Sequence, residues 1–190
     1  KISEEQQKKA LEHINSECRR LERLSGKMMT LIGLYDEDRI HKEPYPVDRL
    51  VREVADLERY HMQDSQMELL AFSESWECEM DVDLMESLLV NLLDNAIKAS
   101  KPGSVIELHG EKGCIWVRDF GKGIPKEEIP RITEAFYMVD KSRSRKAGGI
   151  GMGLALCQKI AEIHRANLVI ESVVGQGTKI SVVFQEETDE

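Results

Sequence analysis

No apolar run in these 190 residues approaches the ~20 needed for a membrane-spanning helix, and no secretory leader pattern is present. The chain as it stands is therefore expected to be soluble. Basic charge is in short supply: 26 Lys and Arg against 35 Asp and Glu give a net charge of −9, which argues against a general nucleic-acid binder. Cysteine is sparse. Cys18, Cys78, Cys114 and Cys157 form no Cys-x-x-Cys pair, and no histidine joins them at zinc-finger spacing. They read as reduced thiols in a cytosolic setting. The five histidines, His13, His41, His61, His109 and His164, form no metal pattern either. Repeats and low-complexity tracts are absent. The length fits one domain, or one domain with an appendage. Lys1 is not a natural start, so a longer parent protein is expected.

What is present is strong periodicity. Ser3–Tyr35 reads as one long helix, in which Leu11, Ile14, Cys18, Leu21, Ser25, Met28 and Ile32 alternate spacings of three and four. That seam fits a coiled coil or helical bundle, or an amphipathic helix packed on its own domain. Asp36–Lys42 is charged and poor in apolar residues, a plausible linker. Pro46 opens a second helix running to about His61. Met67–Phe72 reads as a strand. Ser104–His109 and Cys114–Asp119 read as a hairpin turned by Gly110–Gly113. Pro125–Phe136 holds a short helix with Ile129, Ile132 and Phe136 inward. Tyr137–Gly148 is a basic loop carrying Lys141, Arg143, Arg145 and Lys146, and it leads into Gly148-Gly-Ile-Gly-Met-Gly153. Leu154–His164 is a helix, and Leu168–Val173 and Thr178–Phe184 are alternating strands. Helices grouped against strands that arrive in hairpins define an α+β class: a two-layer α/β sandwich, its sheet mixed but mostly antiparallel, with helices on one face and one long helix in front.

The centre of this arrangement is Met85–Ser100. Met85, Leu88, Leu89, Leu92, Leu93 and Ala96 fall at helical spacing, and Val90 and Ile97 widen the apolar arc beyond the needs of a surface helix. Asp81 or Asp83 supplies an N-cap. Asn91, Asn95 and Lys98 stack along one line. Two asparagines on a well-packed helix serve a buried hydrogen bond or a polar edge, or else a ligand: side-chain carbonyls and an ammonium suit a cation beside an anion. Asp119, at a strand end before Gly121 and Gly123, is either a turn cap or an acceptor for a base or water. Gly149-x-Gly-x-Gly153 opens directly onto a helix, where backbone amides favour phosphate oxygens. It is neither a Walker A loop nor a dinucleotide fingerprint, since no Gly-Lys-Ser/Thr follows and no strand precedes.

In order, the chain carries Asn-x-x-x-Asn-x-x-Lys on a helix, Asp-x-Gly-x-Gly at a strand end, Phe-Tyr before a basic loop, Gly-x-Gly-x-Gly into a helix, and Gly-x-Gly-Thr between the last strands. This order and spacing resembles the catalytic ATP-binding domain of sensor histidine kinases over roughly Pro44–Gln185. Gln7–Ile40 resembles the second helix of that family's dimerisation and phosphotransfer hairpin. The implied division is 1–40, an incomplete hairpin with a linker, and 41–190, the catalytic domain. The implied fold is the Bergerat-type sandwich shared with gyrase, Hsp90 and MutL, and the implied cofactors are ATP and Mg²⁺. Asn95 would ligate Mg²⁺, Lys98 would contact phosphate, and Asp119 would accept from the adenine amine. Gly121 and Gly123 would let backbone approach the base, with Ile124 and Leu154 at the pocket floor. Phe136 and Tyr137 would begin the lid, which includes Lys141 and Arg143. Gly149, Gly151 and Gly153 would line the phosphates, and Thr178 completes the nucleotide set.

Asn91 stands where hydrolysing relatives carry a glutamate that activates water, and an amide is not a base at neutral pH. The resemblance thus implies phosphoryl transfer, in which positioning and charge compensation do most of the catalysis. The implied partners are a response-regulator receiver domain and a second copy of the full-length protein. No nucleic acid is implied, and membrane attachment would come only through segments outside this chain. The location would be cytoplasmic, with the full-length protein anchored in the bacterial inner membrane. Three departures stand out. The family's phosphoacceptor motif is absent around all five histidines, so the acceptor is expected upstream of Lys1. Ala99 replaces an aromatic, and Met138 replaces an Arg whose phosphate contact passes to Lys141 or Arg143. The rival classes are an ATP-hydrolysing machine and a nucleotide-free dimerising scaffold.

Overall fold

The computed structural model describes residues 4–34, 40–139 and 151–185. Residues 35–39, which take in most of the expected linker Asp36–Lys42, the expected lid residues Lys141 and Arg143, and Gly149 lie outside the described residues. Helix α1 spans Glu4–Gly33, and strand β1 (Glu43–Pro46), helix α2 (Val47–Leu57) and helix α3 (Arg59–Asp64) follow. Next come β2 (Glu68–Ser73), β3 (Glu77–Met80), α4 (Val82–Ala99), β4 (Val105–Glu111) and β5 (Cys114–Asp119). A 3-10 turn at Ile129–Arg131 precedes α5 (Gly153–Ile163), β6 (Ala166–Val173) and β7 (Gly177–Phe184).

Five strands form one sheet in the order β2-β4-β5-β7-β6, and β1 pairs with β3 in a separate ribbon. Only β2 and β4 run parallel; the other pairs are antiparallel. The parallel pair follows from the chain route, because α4 supplies the crossover that two parallel strands require. This is the α+β two-layer architecture expected from the sequence.

Alternation along the strands sets the layers. Ile106, Leu108, Ile115, Val117, Ile180 and Val182 point into the core. Helices α2, α4 and α5 cover that face with Leu50, Val54, Leu88, Leu92, Leu156 and Ile160. The other face carries a cross-strand row: Phe72 tilts against His109, His109 stacks on Trp116 with ring centroids 4.3 Å apart, and Lys179 Nζ lies 4.4 Å from the Trp116 ring centre.

Helix α4 is the spine. Met85, Leu88, Leu89, Leu92, Leu93 and Ala96 are all buried, as their wide arc predicts. Asp81 is the N-cap: its Oδ1 accepts from the Leu84 backbone N–H at 3.1 Å. Asp81 also binds elsewhere. Its Oδ2 accepts from the His41 N–H at 3.1 Å, and its own N–H donates to His164 Nε2 at 2.9 Å. One residue thereby fastens the segment before β1 to the start of α4 and to the end of α5. At the end of α1, Leu34 is buried in the same core. The seam residues Leu11, Ile14, Leu21, Met28 and Ile32 are exposed.

Two local expectations need correction, and one strand, Glu43–Pro46, had no counterpart in the sequence reading. The helix from Pro46 to His61 is two helices, which meet at Glu58. Glu43–Pro46 is a strand despite two prolines, because in a two-stranded ribbon each strand has a free edge that needs no N–H. Phe136 does not face inward. It has φ +68° and is 56 % exposed, because the chain reverses there so that its N–H reaches the Gly151 carbonyl at 2.8 Å.

Candidate nucleotide site

Four segments converge at one corner of the sandwich: the C-terminal half of α4, the loop after β5, the β6–β7 turn, and the start of α5. Helix α4 ends at Ala99 with Ser100 as its C-cap, and the Ala99 carbonyl accepts from Lys122 N–H at 3.2 Å. That bond ties the helix carrying Asn95 and Lys98 to the loop that follows Asp119. Lys122 also accepts, through its carbonyl, from Gly175 N–H at 2.8 Å. The β6–β7 turn is thus joined to the same loop.

Asp119 sits on the central strand, paired with Ile106 on one side and Thr178 on the other. It is 5 % exposed. Its Oδ1 accepts from Gly121 N–H at 2.8 Å, an Asx-type turn, so the cap reading holds for that oxygen. Burial raises its carboxyl above the ordinary range, while the Gly121 and Thr178 backbone amides and Lys122 pull the other way. A buried carboxylate beside backbone donors is a strong, oriented acceptor.

Asn91 and Asn95 differ. Asn91 is buried, and its Nδ2 donates to the Ser87 carbonyl one turn back at 2.7 Å. Asn95 is half-buried, and its Nδ2 has no hydrogen-bond partner among the described residues although the atom itself is out of solvent. A buried amide left in that state costs about 1–3 kcal/mol, a cost that Trp76 Nε1 and Ser100 Oγ share. The two ends of an Asn amide exchange by a half-turn of the side chain, which makes its carbonyl equally available. Among the described residues, no group of three or more His, Cys, Asp or Glu could hold a metal. An ion here would depend on Asn95 together with phosphate oxygens and water, a donor set that suits Mg²⁺. The residues present therefore fit that ion.

Lys98 is 41 % exposed and lies 3.5 Å from Asp94. An exposed i,i+4 pair of this kind is worth about 0–1 kcal/mol, so a phosphate can take the ammonium at little cost. Helix α5 begins at Gly153, and its N-cap Met152 makes no side-chain bond to the first turn. The first-turn amides and the positive end of the helix dipole suit an anion. Leu154 packs on the core from that turn.

The glycines after Asp119 serve packing as well as access. A Cβ on Gly121 would lie 2.3 Å from the Ala99 carbonyl oxygen, and one on Gly123 would lie 2.1 Å from that of Val173. The space is filled by the chain's own backbone. Gly151 likewise faces the Tyr137 carbonyl. Tyr137 is held by Glu128, which accepts from its hydroxyl, and by Arg131, 4.2 Å from its ring centre. Ile124 N–H donates to Ser172 Oγ at 2.8 Å. Ser172 escaped sequence reasoning because it occupies an ordinary alternating position on β6. The His164–Asp81 bond was equally invisible, since 83 residues separate its partners.

A sandwich of this topology, with an amide, a lysine, a buried carboxylate and an uncapped helix start at one corner, defines a nucleotide-binding class. The family of histidine kinase-, DNA gyrase B- and HSP90-like ATPases matches residues 80–188, more than half of the chain, and the chain belongs to it. It is 32 % identical over 181 residues to the sensor histidine kinase YkoH of Bacillus subtilis, covering 94 % of this chain and 39 % of that protein. It is 30 % identical over 175 residues to the sensor protein kinase WalK of Staphylococcus saprophyticus, covering 88 % of this chain and 29 % of that protein. The chain thus spans well under half the length of these relatives. Among solved structures, the mycobacterial sensor histidine kinase MprB is 25 % identical with a TM-score of 0.63, covering 75 % of this chain and 96 % of that one. The histidine kinase ThkA, solved in complex with the response regulator protein TrrA, has the same fold. Its TM-score is 0.70 at 21 % identity, with 90 % of this chain and 49 % of that one covered.

Proposed function

We propose that this chain is the ATP-binding catalytic portion of a sensor histidine kinase. It holds Mg–ATP so that a histidine on another part of the full-length protein attacks the γ-phosphorus. The bond to the bridging oxygen breaks, a phosphorus–nitrogen bond forms, and ADP leaves. The phosphoryl group then passes to an aspartate on a response-regulator receiver domain. The observation that carries this reading is the Asn95 amide, unpartnered among the described residues, one turn before the Ala99 carbonyl that binds the loop after Asp119.

Each residue has a task. Asp119 accepts from the exocyclic amine of adenine, with Thr178 beside it. Gly121, Gly123 and Ile124 hold the loop that flanks the base, and Leu154 floors the pocket. Lys98 exchanges Asp94 for phosphate. The amides from Gly151 to the start of α5, continuing from Gly149, receive phosphate oxygens. Phe136 and Tyr137 anchor the lid, which carries Lys141 or Arg143 to the phosphates. Asn95 ligates Mg²⁺, which when bound compensates charge on the phosphate oxygens. Asn91 is buried and back-bonded within α4, so no base stands there to activate water. That supports transfer over hydrolysis.

The division near residue 40 separates a helix made for association from the catalytic domain. The exposed seam of α1 supports a homodimer of the full-length protein. No described helix is long and apolar enough to cross a membrane. We place the domain on the cytoplasmic side, with anchoring to the bacterial inner membrane supplied by other segments.

The test is titration calorimetry of ATP with and without a magnesium chelator. Asn95→Ala is expected to abolish the Mg²⁺-dependent part of the affinity and leave the remainder. An equal loss under both conditions would assign Asn95 a purely structural role and remove the carrying observation.

A further inference from the structure

Ser172 belongs to none of the five motifs, yet from β6 it reaches Thr178, the strand partner of Asp119. It pairs with Thr178 across the β6–β7 register, and Thr178 pairs in turn with Asp119. Its Oγ meets three groups. Ile124 N–H lies at 2.8 Å, the Gly177 carbonyl oxygen at 2.9 Å, and Thr178 Oγ1 at 2.9 Å.

A serine hydroxyl has one proton and two lone pairs. The Gly177 carbonyl has no proton to offer, so the hydrogen bond there uses the Ser172 proton. The Ile124 amide fills one lone pair. The remaining contact, to Thr178, then needs a proton from Thr178. Thr178 is left with no proton to donate and keeps its own lone pairs. Its backbone amide helps hold down the pKa of the Asp119 carboxyl, and the residue is only 6 % exposed.

We propose that Ser172 is a positioning residue for base specificity: by taking the Thr178 proton it makes that hydroxyl an acceptor only. Asp119 and Thr178 then present two acceptors side by side. Such a pair receives an exocyclic amine, directly or through a bound water, and repels a ring carbonyl in the same place. A free threonine hydroxyl would rotate and donate to that carbonyl, so discrimination needs the serine. The inference rests on the nucleotide reading above and adds a specificity mechanism to it.

The experiment compares ATP with inosine triphosphate, in which a carbonyl replaces the amine. Affinities of the whole chain for both are measured by calorimetry. The wild type is expected to prefer ATP. Ser172→Ala is expected to shrink the ATP-to-ITP ratio by about tenfold, the worth of one hydrogen bond. Ser172→Thr, which keeps the hydroxyl, is expected to restore the ratio. Thr178→Val tests the same step with Ser172 intact and should also shrink the ratio. Adding Ser172→Ala to Thr178→Val should change the ratio no further, because the serine acts through the threonine. If Ser172→Ala weakens both nucleotides by the same factor, or the two changes add, the inference is overturned and the nucleotide site survives. If the wild type binds neither nucleotide, the reading of the site falls and the inference falls with it.

Discussion

Replacing Gly121 by alanine tests how the site is held together. The new Cβ would lie 2.3 Å from the Ala99 oxygen, 2.6 Å from the Ala99 carbonyl carbon and 2.9 Å from Asp119 Oδ1. Two of the three are backbone atoms at the end of α4, so no side-chain rotation relieves the clash. The loop and the helix end must part by roughly 1 Å, and overpacking of that size costs about 1–3 kcal/mol in a close-packed interior. The separation also stretches the Gly121 N–H bond to Asp119, worth about 1.5–3 kcal/mol because its acceptor is a carboxylate. Together these come to about 2.5–6 kcal/mol, a large share of the ~5–15 kcal/mol that stabilises a domain. Gly113→Ala is the control. Gly113 has φ +79° with nothing within 4 Å, so its cost is conformational alone, about 1–2 kcal/mol. It lies just before the far end of β5, about 20 Å from Asp119. Urea unfolding followed by the fluorescence of Trp76 and Trp116 should rank Gly121→Ala well below Gly113→Ala. ATP calorimetry should show loss of affinity in Gly121→Ala alone. Equal stability of the two variants, with undiminished ATP affinity in Gly121→Ala, would refute the close contact between α4 and the loop.

Two further outcomes follow from the geometry. His164 is buried, donates from Nδ1 to the Ile160 carbonyl at 2.7 Å, and accepts the Asp81 N–H at Nε2. Burial first, and then Lys42, push its pKa below the ordinary 6.5, against the opposing Ile160 bond and Asp81. The unfolded chain therefore binds the proton more readily, and the contribution of neutral His164 is complete above pH 6.5 and is lost as pH falls below it. The loss reaches at most about 1.4 kcal/mol per pH unit. Urea midpoints at about pH 7.5 and about pH 5.5 should diverge less in His164→Gln than in the wild type, and an identical divergence would exclude His164 as the cause. The second outcome concerns α1: sedimentation should show concentration-dependent association that Leu21→Asp weakens, and a wild type that stays monomeric at all concentrations would refute the role of the seam.

Local chemistry alone determined much of this protein. The apolar arc of α4, its aspartate cap, the β4–β5 hairpin and the strand-end position of Asp119 were all legible, because periodicity, capping and turn residues act within one or two turns of chain. The order of the motifs identified the family for the same reason: each motif is a short segment with its own backbone demand. Tertiary structure decided what those segments meet. The prolines of β1 speak against a strand until β3 pairs with it from more than thirty residues away. The parallel register of β2 and β4 depends on where α4 lands. Asn91 and Asn95 look alike in the sequence, and only packing shows that one amide is spent on Ser87 while the other has no partner among the described residues. Periodicity turned Phe136 inward, but a left-handed residue bonded to Gly151 turns it out. Ser172 and His164 gained their roles entirely from long-range hydrogen bonds. A hydrogen bond between distant residues depends on where two backbones cross, and no local pattern encodes that crossing.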